Sequence, residues 1–156
     1  DLIQEEPEGT HFIYLQVRRH YDEMTPDKSA EHPHQRIIEG IGKQMEHVLE
    51  GSKQAIYVYL DDTHKICNQR MADLLGYESA EEWSKADAPF TEAFVDDESR
   101  NALVSAYQRA MADKVGSCID VTWRKRAGGS VKTKVILVPI SYEGSMLALH
   151  FVKMAR

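Results

Sequence analysis

The first clear pattern of apolar and polar positions lies between His34 and Glu50, in HQRIIEGIGKQMEHVLE. Apolar residues recur there every three or four positions, which is the spacing of one helical face. The pattern predicts an amphipathic helix in which Gly40 and Gly42 each cost about 1 kcal/mol relative to alanine, and which Gly51 ends. Its apolar stripe must be covered by the domain's own sheet or by the same helix of a second subunit. The stripe comprises Ile37, Ile38, Ile41, Met45, Val48 and Leu49.

Alternation with a period of two follows directly, in AIYVYLDD. Ile56, Val58 and Leu60 alternate there with Tyr57 and Tyr59, which predicts a strand. The letters DDT then predict a turn, and HKIC returns as a short partner strand.

Short helices are predicted next, each with a recognisable start or stop. Asn68 is placed to cap the first turn of a helix that Gly76 ends. Ser79, with Glu82 three residues later, forms a capping-box pattern for a second short helix. The longest helix begins at Asp96 or Asp97 and is followed by Gly116.

The last third of the chain predicts three antiparallel strands, in SCIDVTWRKR, VKTKVILVPI and SMLALHFVKM, joined by the turns GG and YEG. Two strands, several helices and three more strands indicate an α+β fold: one five-stranded antiparallel sheet with short helices gathered on one face. The helix at 34–51 flanks this domain and is the obvious cover for the other face of the sheet.

Composition narrows the class of protein. A chain of 156 residues suits a single domain, and its net charge of −6 argues against nucleic-acid binding. Two cysteines, Cys67 and Cys118, are too few for a disulfide framework, which favours a reducing, cytoplasmic setting. No apolar segment is long enough to span a membrane, and no signal peptide is recognisable. Residues 1–33 carry no clean pattern and are interpreted as an N-terminal extension or linker.

From about Gln54 to Met154 the chain resembles a PAS domain, a sensor module of signalling proteins. The matching stretches are AIYVYLDDTHKICNQRMADLLGYESAEEW, FVDDESRNALVSAYQRAMADKVG and WRKRAGGSVKTKVILVPISYEGSMLALHFV. The PAS-like domain is accordingly expected to span residues 52–156. It implies a sheet cupped around a small cavity by short helices, with signals passed to a flanking helix and often to a dimer partner. It does not specify a ligand.

The cofactor stays unknown, and the residues argue against the two familiar ones. A flavin adduct requires a cysteine on a helix over the flavin ring, whereas Cys67 precedes Asn68 at a strand end. Haem requires an axial histidine near the long helix, and no histidine lies between Phe94 and Gly116. His150, on the last strand, lies beside the cavity or on the opposite face, depending on register.

No metal site and no catalytic group is expected from the sequence. His20, Asp22, His32 and His34 could be imagined as metal ligands, but a histidine-rich linker is the preferred interpretation. No nucleophile and base stand in a recognisable context, so no enzymatic activity is expected, unless the chain belongs to a longer signalling protein such as a sensor kinase.

Nine residues are the candidates for lining a ligand cavity, because they are apolar or polar-tipped positions expected to face one another across the sheet and helices. They are Ile56, Val58, Met71, Leu75, Tyr107, Met111, Trp123, Leu137 and His150. A filled core without a ligand is the competing interpretation.

Three functions remain in view. The first is a non-catalytic sensory or regulatory module that homodimerises and binds a small ligand or partner. The second is a small cone-shaped α+β enzyme with a buried His/Asp pair, and the third is a ligand-free dimerisation scaffold. The downstream effector, whether a domain or a separate protein, is not defined by these residues.

Overall fold

The computed structural model describes residues 32–155. The segment interpreted as a linker therefore lies almost entirely outside the described residues, together with His20 and Asp22. In chain order the elements are α1 (His32–Gln44), α2 (Glu46–Gly51), β1 (Ala55–Asp61), β2 (His64–Cys67), α3 (Gln69–Leu75), α4 (Ala80–Lys85), α5 (Phe90–Phe94), α6 (Asp97–Asp113), β3 (Ser117–Arg124), β4 (Ser130–Tyr142) and β5 (Ser145–Met154).

The five strands form one antiparallel sheet in the order β2-β1-β5-β4-β3. The two strands that precede the helices and the three that follow them meet where β1 pairs with β5, for example at Tyr57 and His150. The predicted α+β architecture is confirmed. Strand β1, which lies between β2 and β5, is buried along its whole length.

The caps predicted at Asn68, Gly76 and Ser79 are confirmed, whereas Gly51 is the last residue of α2 and Ser52 is its C-cap. The Asn68 side chain accepts a hydrogen bond from the backbone N–H of Met71 at 3.0 Å. Gly76 ends α3 with a φ of 81°, a left-handed conformation that glycine adopts without a steric penalty. Ser79 accepts from the backbone N–H of Glu82 at 3.0 Å and so begins α4. These local signals turn the chain back over the sheet.

Helices α3 to α6 cover one face of the sheet, and α1 covers the other. Ile37, Ile38 and Ile41 of α1 are buried against Val58, Leu60 and Leu147. The single helix expected over 34–50 is divided at Met45, so the end of the stripe turns away from the sheet. Leu49 is half-buried and Val48 is 51% exposed.

The side chains of β1 face the opposite way from the sequence-based assignment. Ala55, Tyr57 and Tyr59 belong to the core between the sheet and helices α3 to α6, called here the helix-side core. Val58 and Leu60 pack under α1 on the other face. By the alternation of a strand, Ile56 shares the face of Val58. The assignment of Ile56 and Val58 to the cavity was therefore wrong. A strand buried on both faces carries no polar side to indicate which residues face the helices.

Candidate functional site

A small cavity lies in the helix-side core, between β1, β5, α5 and α6. Its volume is about 10 Å³, which is roughly the space that one water molecule requires. Six residues line it: Tyr57, Tyr59, Phe90, Leu103, Tyr107 and His150. A flavin or a haem would fit only after these side chains had moved apart, because pockets for ligands of that size measure about 300 Å³ or more.

Tyr57 stands at the centre of this aromatic core. Its ring stacks on that of His150, its cross-strand partner, with centroids 3.8 Å apart and planes 7° apart. Phe90 stacks on it at 5.6 Å, and Trp83 and Trp123 meet it edge-on at 5.7 Å and 5.6 Å. Aromatic pairs of these kinds contribute about 0.5–1.5 kcal/mol each beyond the area that they bury, so they favour this one arrangement of the rings.

Three buried polar atoms of this cluster have no hydrogen-bond partner within the described part of the chain: Tyr57 Oη, Trp83 Nε1 and His150 Nδ1. Trp123 is different, because its Nε1 donates to Thr133 Oγ1 at 2.8 Å. An unsatisfied buried polar group costs about 1–3 kcal/mol, so three of them in one cluster are a substantial local weakness. A bound polar molecule would relieve that cost.

Burial keeps the ionisable groups of the cavity neutral. It lowers the pKa of His150 to about 3, although backbone groups of Tyr57 and Ala148 oppose the change. Burial also raises the pKa of Tyr57 well above its usual value. At neutral pH the cavity is therefore lined by tyrosine hydroxyl and imidazole groups without a formal charge, which suits a neutral polar ligand.

One end of the cavity continues into a polar network. The Tyr59 hydroxyl donates to Asp62 Oδ1 at 2.7 Å, and Lys65 Nζ donates to the carbonyl oxygens of Asp62 and Ala86 at 3.1 Å and 2.8 Å. Burial lowers the pKa of Lys65 to about 8, while Asp62 and Asp61 oppose the change. The ammonium group lies 5.3 Å from the ring centre of Trp83.

The predicted cavity residues fall into three groups. Tyr107 and His150 line the cavity itself. Met71, Leu75, Trp123 and Leu137 are buried in the surrounding core, and Met111 packs against it. Ile56 and Val58 lie on the other face. Sequence reasoning missed Tyr57, Tyr59, Phe90, Leu103 and Trp83, although an excess of aromatic residues over aliphatic ones on one side of β1 was a visible signal.

The arrangement around His150 does not provide an acid–base pair. No carboxylate lines the cavity described here, and an imidazole with a pKa of about 3 is a weak base at neutral pH. Asp62 comes nearest through its bond with Tyr59. The cavity around His150 therefore gives no support to the small-enzyme hypothesis; the buried contacts between histidine and aspartate lie outside it, at Asp61.

A second, open groove of about 380 Å³ runs along α1, α2 and the start of α3, and Cys67 and Asn68 contribute to it. The Cys67 thiol is buried, and burial raises its pKa to about 12. A thiol of that pKa is almost entirely protonated at neutral pH and reacts slowly. The groove thus has no reactive group of this kind.

Comparison with known proteins bears on the fold. No family model matches the chain, and no curated protein matches it either. Many solved structures do. A PAS domain from a two-component sensor histidine kinase is 14% identical, with a TM-score of 0.57 over 75% of this chain and 98% of that domain.

Two further structures are similar. The PAS domain of an HTR-like protein from Haloarcula marismortui is 21% identical, with a TM-score of 0.54 over 76% of this chain and 94% of that one. The PAS domain of nitrogen regulation protein NR(II) from Vibrio parahaemolyticus is 14% identical, with a TM-score of 0.54 over 69% and 94%. At these identities the likeness establishes the fold. Among the described helices, none is both long and apolar enough to cross a membrane.

Proposed function

We propose, from the premise that the chain has the PAS fold, that it is a non-catalytic sensory module of signal transduction that binds a small, neutral, polar molecule in its aromatic core. The observation that carries the proposal is the group of buried polar atoms without partners: Tyr57 Oη, Trp83 Nε1 and His150 Nδ1. Tyr57 and His150 line the cavity, and Trp83 packs against Tyr57. A ligand in the cavity that hydrogen-bonds to Tyr57 and His150 therefore removes the cost of leaving these two groups unsatisfied. The similar domains include one from a sensor histidine kinase, which agrees with a signalling role.

The size of the cavity limits the ligand. A volume of about 10 Å³ accepts one water molecule, so anything larger must displace a ring. The stacked pair of Tyr57 and His150 is the natural element to move, because both side chains lie on neighbouring strands and carry unsatisfied polar atoms. Binding is therefore coupled to a displacement of β1 and β5.

Strand β1 connects the cavity with the flanking helix. Tyr57 and Tyr59 face the cavity, while Val58 and Leu60, the alternate residues, pack under α1. A displacement of β1 on the cavity side consequently changes the surface on which α1 rests. In this proposal α1 is the two-state element that reports occupancy of the cavity.

Homodimerisation is part of the proposal. The residues chosen to test it must be exposed ones, because part of the predicted interface is buried within the chain. Ile37, Ile38 and Ile41 are already buried within the chain, so an isolated charge there would disrupt folding. Val48 on α2 and Ile136 on β4 are 51% and 49% exposed and remain accessible to a second subunit. Substituting both by glutamate is expected to convert a dimer to a monomer in light-scattering measurements. A dimer that survives this double variant would place the interface elsewhere.

The ligand proposal is tested by native mass spectrometry of the purified protein and of Tyr57→Phe. The wild type is expected to retain additional mass, and Tyr57→Phe to lose it, because the hydroxyl that contacts the ligand is gone. Tyr142→Phe is the matched control, since Tyr142 packs on the α1 side of the sheet. A wild type without additional mass, or equal retention in Tyr57→Phe, would contradict the proposal. An absorbance spectrum of the same sample tests for flavin or haem.

A further inference from the structure

We propose that the chain binds one Zn²⁺ ion between its flanking helix and its sheet, with His34, Asp61 and His64 as ligands. The three side chains come from α1, from the end of β1 and from the start of β2. All three are nearly buried, with side-chain exposures of 8%, 2% and 10%. Their potential ligand atoms lie within 4.8 Å of one another. Within the described residues these three side chains thus form a group that could hold a metal ion.

The Asp61 carboxylate is oriented as a ligand by its own backbone contacts. Its Oδ1 accepts hydrogen bonds from the backbone N–H groups of Thr63 and His64 at 3.0 Å and 2.8 Å. Its Oδ2 lies 2.7 Å from Nδ1 of His34, whereas Nδ1 of His64 lies 2.7 Å from Oδ1 and 3.0 Å from Oδ2. Backbone N–H groups thus fix the orientation of the carboxylate, and both histidines reach its oxygens; outer contacts of this kind orient a metal ligand.

The donor set and its spacing suit zinc. Two imidazole nitrogens and one carboxylate oxygen are ligands that Zn²⁺ uses, with bonds of about 2.0–2.2 Å. In a tetrahedral site such atoms lie roughly 3.3 Å apart, so the nitrogen–oxygen pairs need to separate by about half an ångström. The ligand atoms of the group all lie within 4.8 Å of one another, so the two histidine nitrogens need to approach each other by at most about 1.5 Å. The two rings stand at 90° to each other, so each nitrogen can approach the same point from its own direction.

A fourth position and an entry route exist at the edge of the cluster. Thr63 is exposed, and its hydroxyl lies 3.0 Å from His64 Nδ1 and 3.1 Å from Asp61 Oδ1. The hydroxyl or a water molecule held beside it can complete four-coordination. Because Thr63 is exposed, this is the side from which an ion would enter.

A local irregularity of β1 makes the cluster. By strict alternation Asp61 would point to the same face as Tyr59, but the pairing register between β1 and β2 shifts between these two residues. Such bulges redirect a side chain, and here Asp61 reaches His34 on α1, 27 residues earlier in the chain. A bound ion would fasten α1 to the β1–β2 hairpin.

The site does not depend on the cavity ligand, because none of its three residues lines the cavity. The competing interpretation is a latch in which the two imidazoles donate to Asp61 and no ion binds. Both interpretations require folded protein with these contacts, so the experiment must measure metal binding directly.

The test is titration of the chelator-treated full chain with ZnCl₂ alone, followed by calorimetry and native mass spectrometry. One Zn²⁺ per chain is expected. His34→Ala and His64→Ala are each expected to weaken it by at least about 100-fold, since even outer-contact losses cost about 10- to 100-fold. His47→Ala, at an exposed histidine of α2, is the matched control and should bind like the wild type.

A second measurement covers variants that fail to fold. Co²⁺ added to the wild-type chain should give the visible absorption typical of a four-coordinate site, and Zn²⁺ should abolish it. Absence of zinc binding by the wild type would overturn the proposal in favour of the latch. Zinc binding that survives His34→Ala and His64→Ala equally would also overturn it, because other histidines would then be responsible.

Discussion

A single asparagine joins three parts of the molecule. Asn68 Oδ1 accepts from the backbone N–H groups of Met71 and Ile56, and its Nδ2 donates to the carbonyl oxygens of Gln54 and Leu49. The sequence predicted the cap on α3. It could not show the other bonds, because they depend on how α2 and β1 pack beside the helix.

Asn68→Ala is expected to lower the free energy of unfolding by about 3 kcal/mol, of which the cap accounts for about 1 and the remaining hydrogen bonds for most of the rest. Ser79→Ala removes the hydrogen bond that Ser79 Oγ accepts from the backbone N–H of Glu82 and should cost about 1 kcal/mol. Urea unfolding measures both. Equal losses in the two variants would mean that the additional bonds of Asn68 contribute nothing.

His150 makes the core sensitive to acid. Its pKa is about 3 in the folded protein, whereas in the unfolded chain it lies near 6.5. Between these values the unfolded chain binds more protons, so the free energy of unfolding falls as the pH is lowered through this window.

His150→Gln removes the imidazole that takes up a proton on unfolding, so the variant lacks this contribution to the pH dependence of stability. Between pH 6 and pH 4, the decline of wild-type stability is expected to be steeper than that of His150→Gln by about 1.4 kcal/mol per pH unit. Urea unfolding of both proteins at several pH values measures the difference. Parallel declines would show that His150 is protonated in the folded core.

At the scale of secondary structure, the packing of α1 explains two glycines that the sequence presented only as weaknesses. A Cβ at Gly40 would clash with the Tyr142 hydroxyl and lie 2.9 Å from its Cε2. A Cβ at Gly42 would lie 3.3 Å from Ile66 Cδ1. The glycines allow α1 to approach the sheet closely, which offsets their low helix propensity.

Gly40→Ala is therefore expected to destabilise the protein by about 1–3 kcal/mol through overpacking, although alanine favours a helix. Gly51→Ala is the matched control, because nothing lies within 4 Å of its Cβ; it should be neutral or stabilising by up to about 1 kcal/mol. Thermal unfolding measures both. A Gly40→Ala variant as stable as Gly51→Ala would show that α1 is not docked as described.

For the molecule as a whole, order and spacing of the motifs were enough to predict the fold. The caps at Asn68 and Ser79 and the turns of the last hairpins are local, so their residues specify them directly. The faces of β1 were not predictable in this way, since both are buried. The cluster of His34, Asp61 and His64 needs both the docking of α1 and an irregularity in β1, and neither leaves a local pattern.

The central claim is that β1 carries a change in the cavity to α1. Leu103→Ala enlarges the cavity beside Tyr57 and His150, and pyrazole is a small neutral probe with one donor and one acceptor for that space. A rise in melting temperature of the variant with pyrazole, absent in the wild type, establishes binding.

Hydrogen–deuterium exchange of Leu103→Ala with and without pyrazole then tests the coupling most directly. We expect the exchange rates of amides in α1, around Ile37 to Ile41, to change on binding, while those of the Gly128–Gly129 hairpin tip stay constant. Bound pyrazole with unchanged exchange throughout α1 would contradict the account.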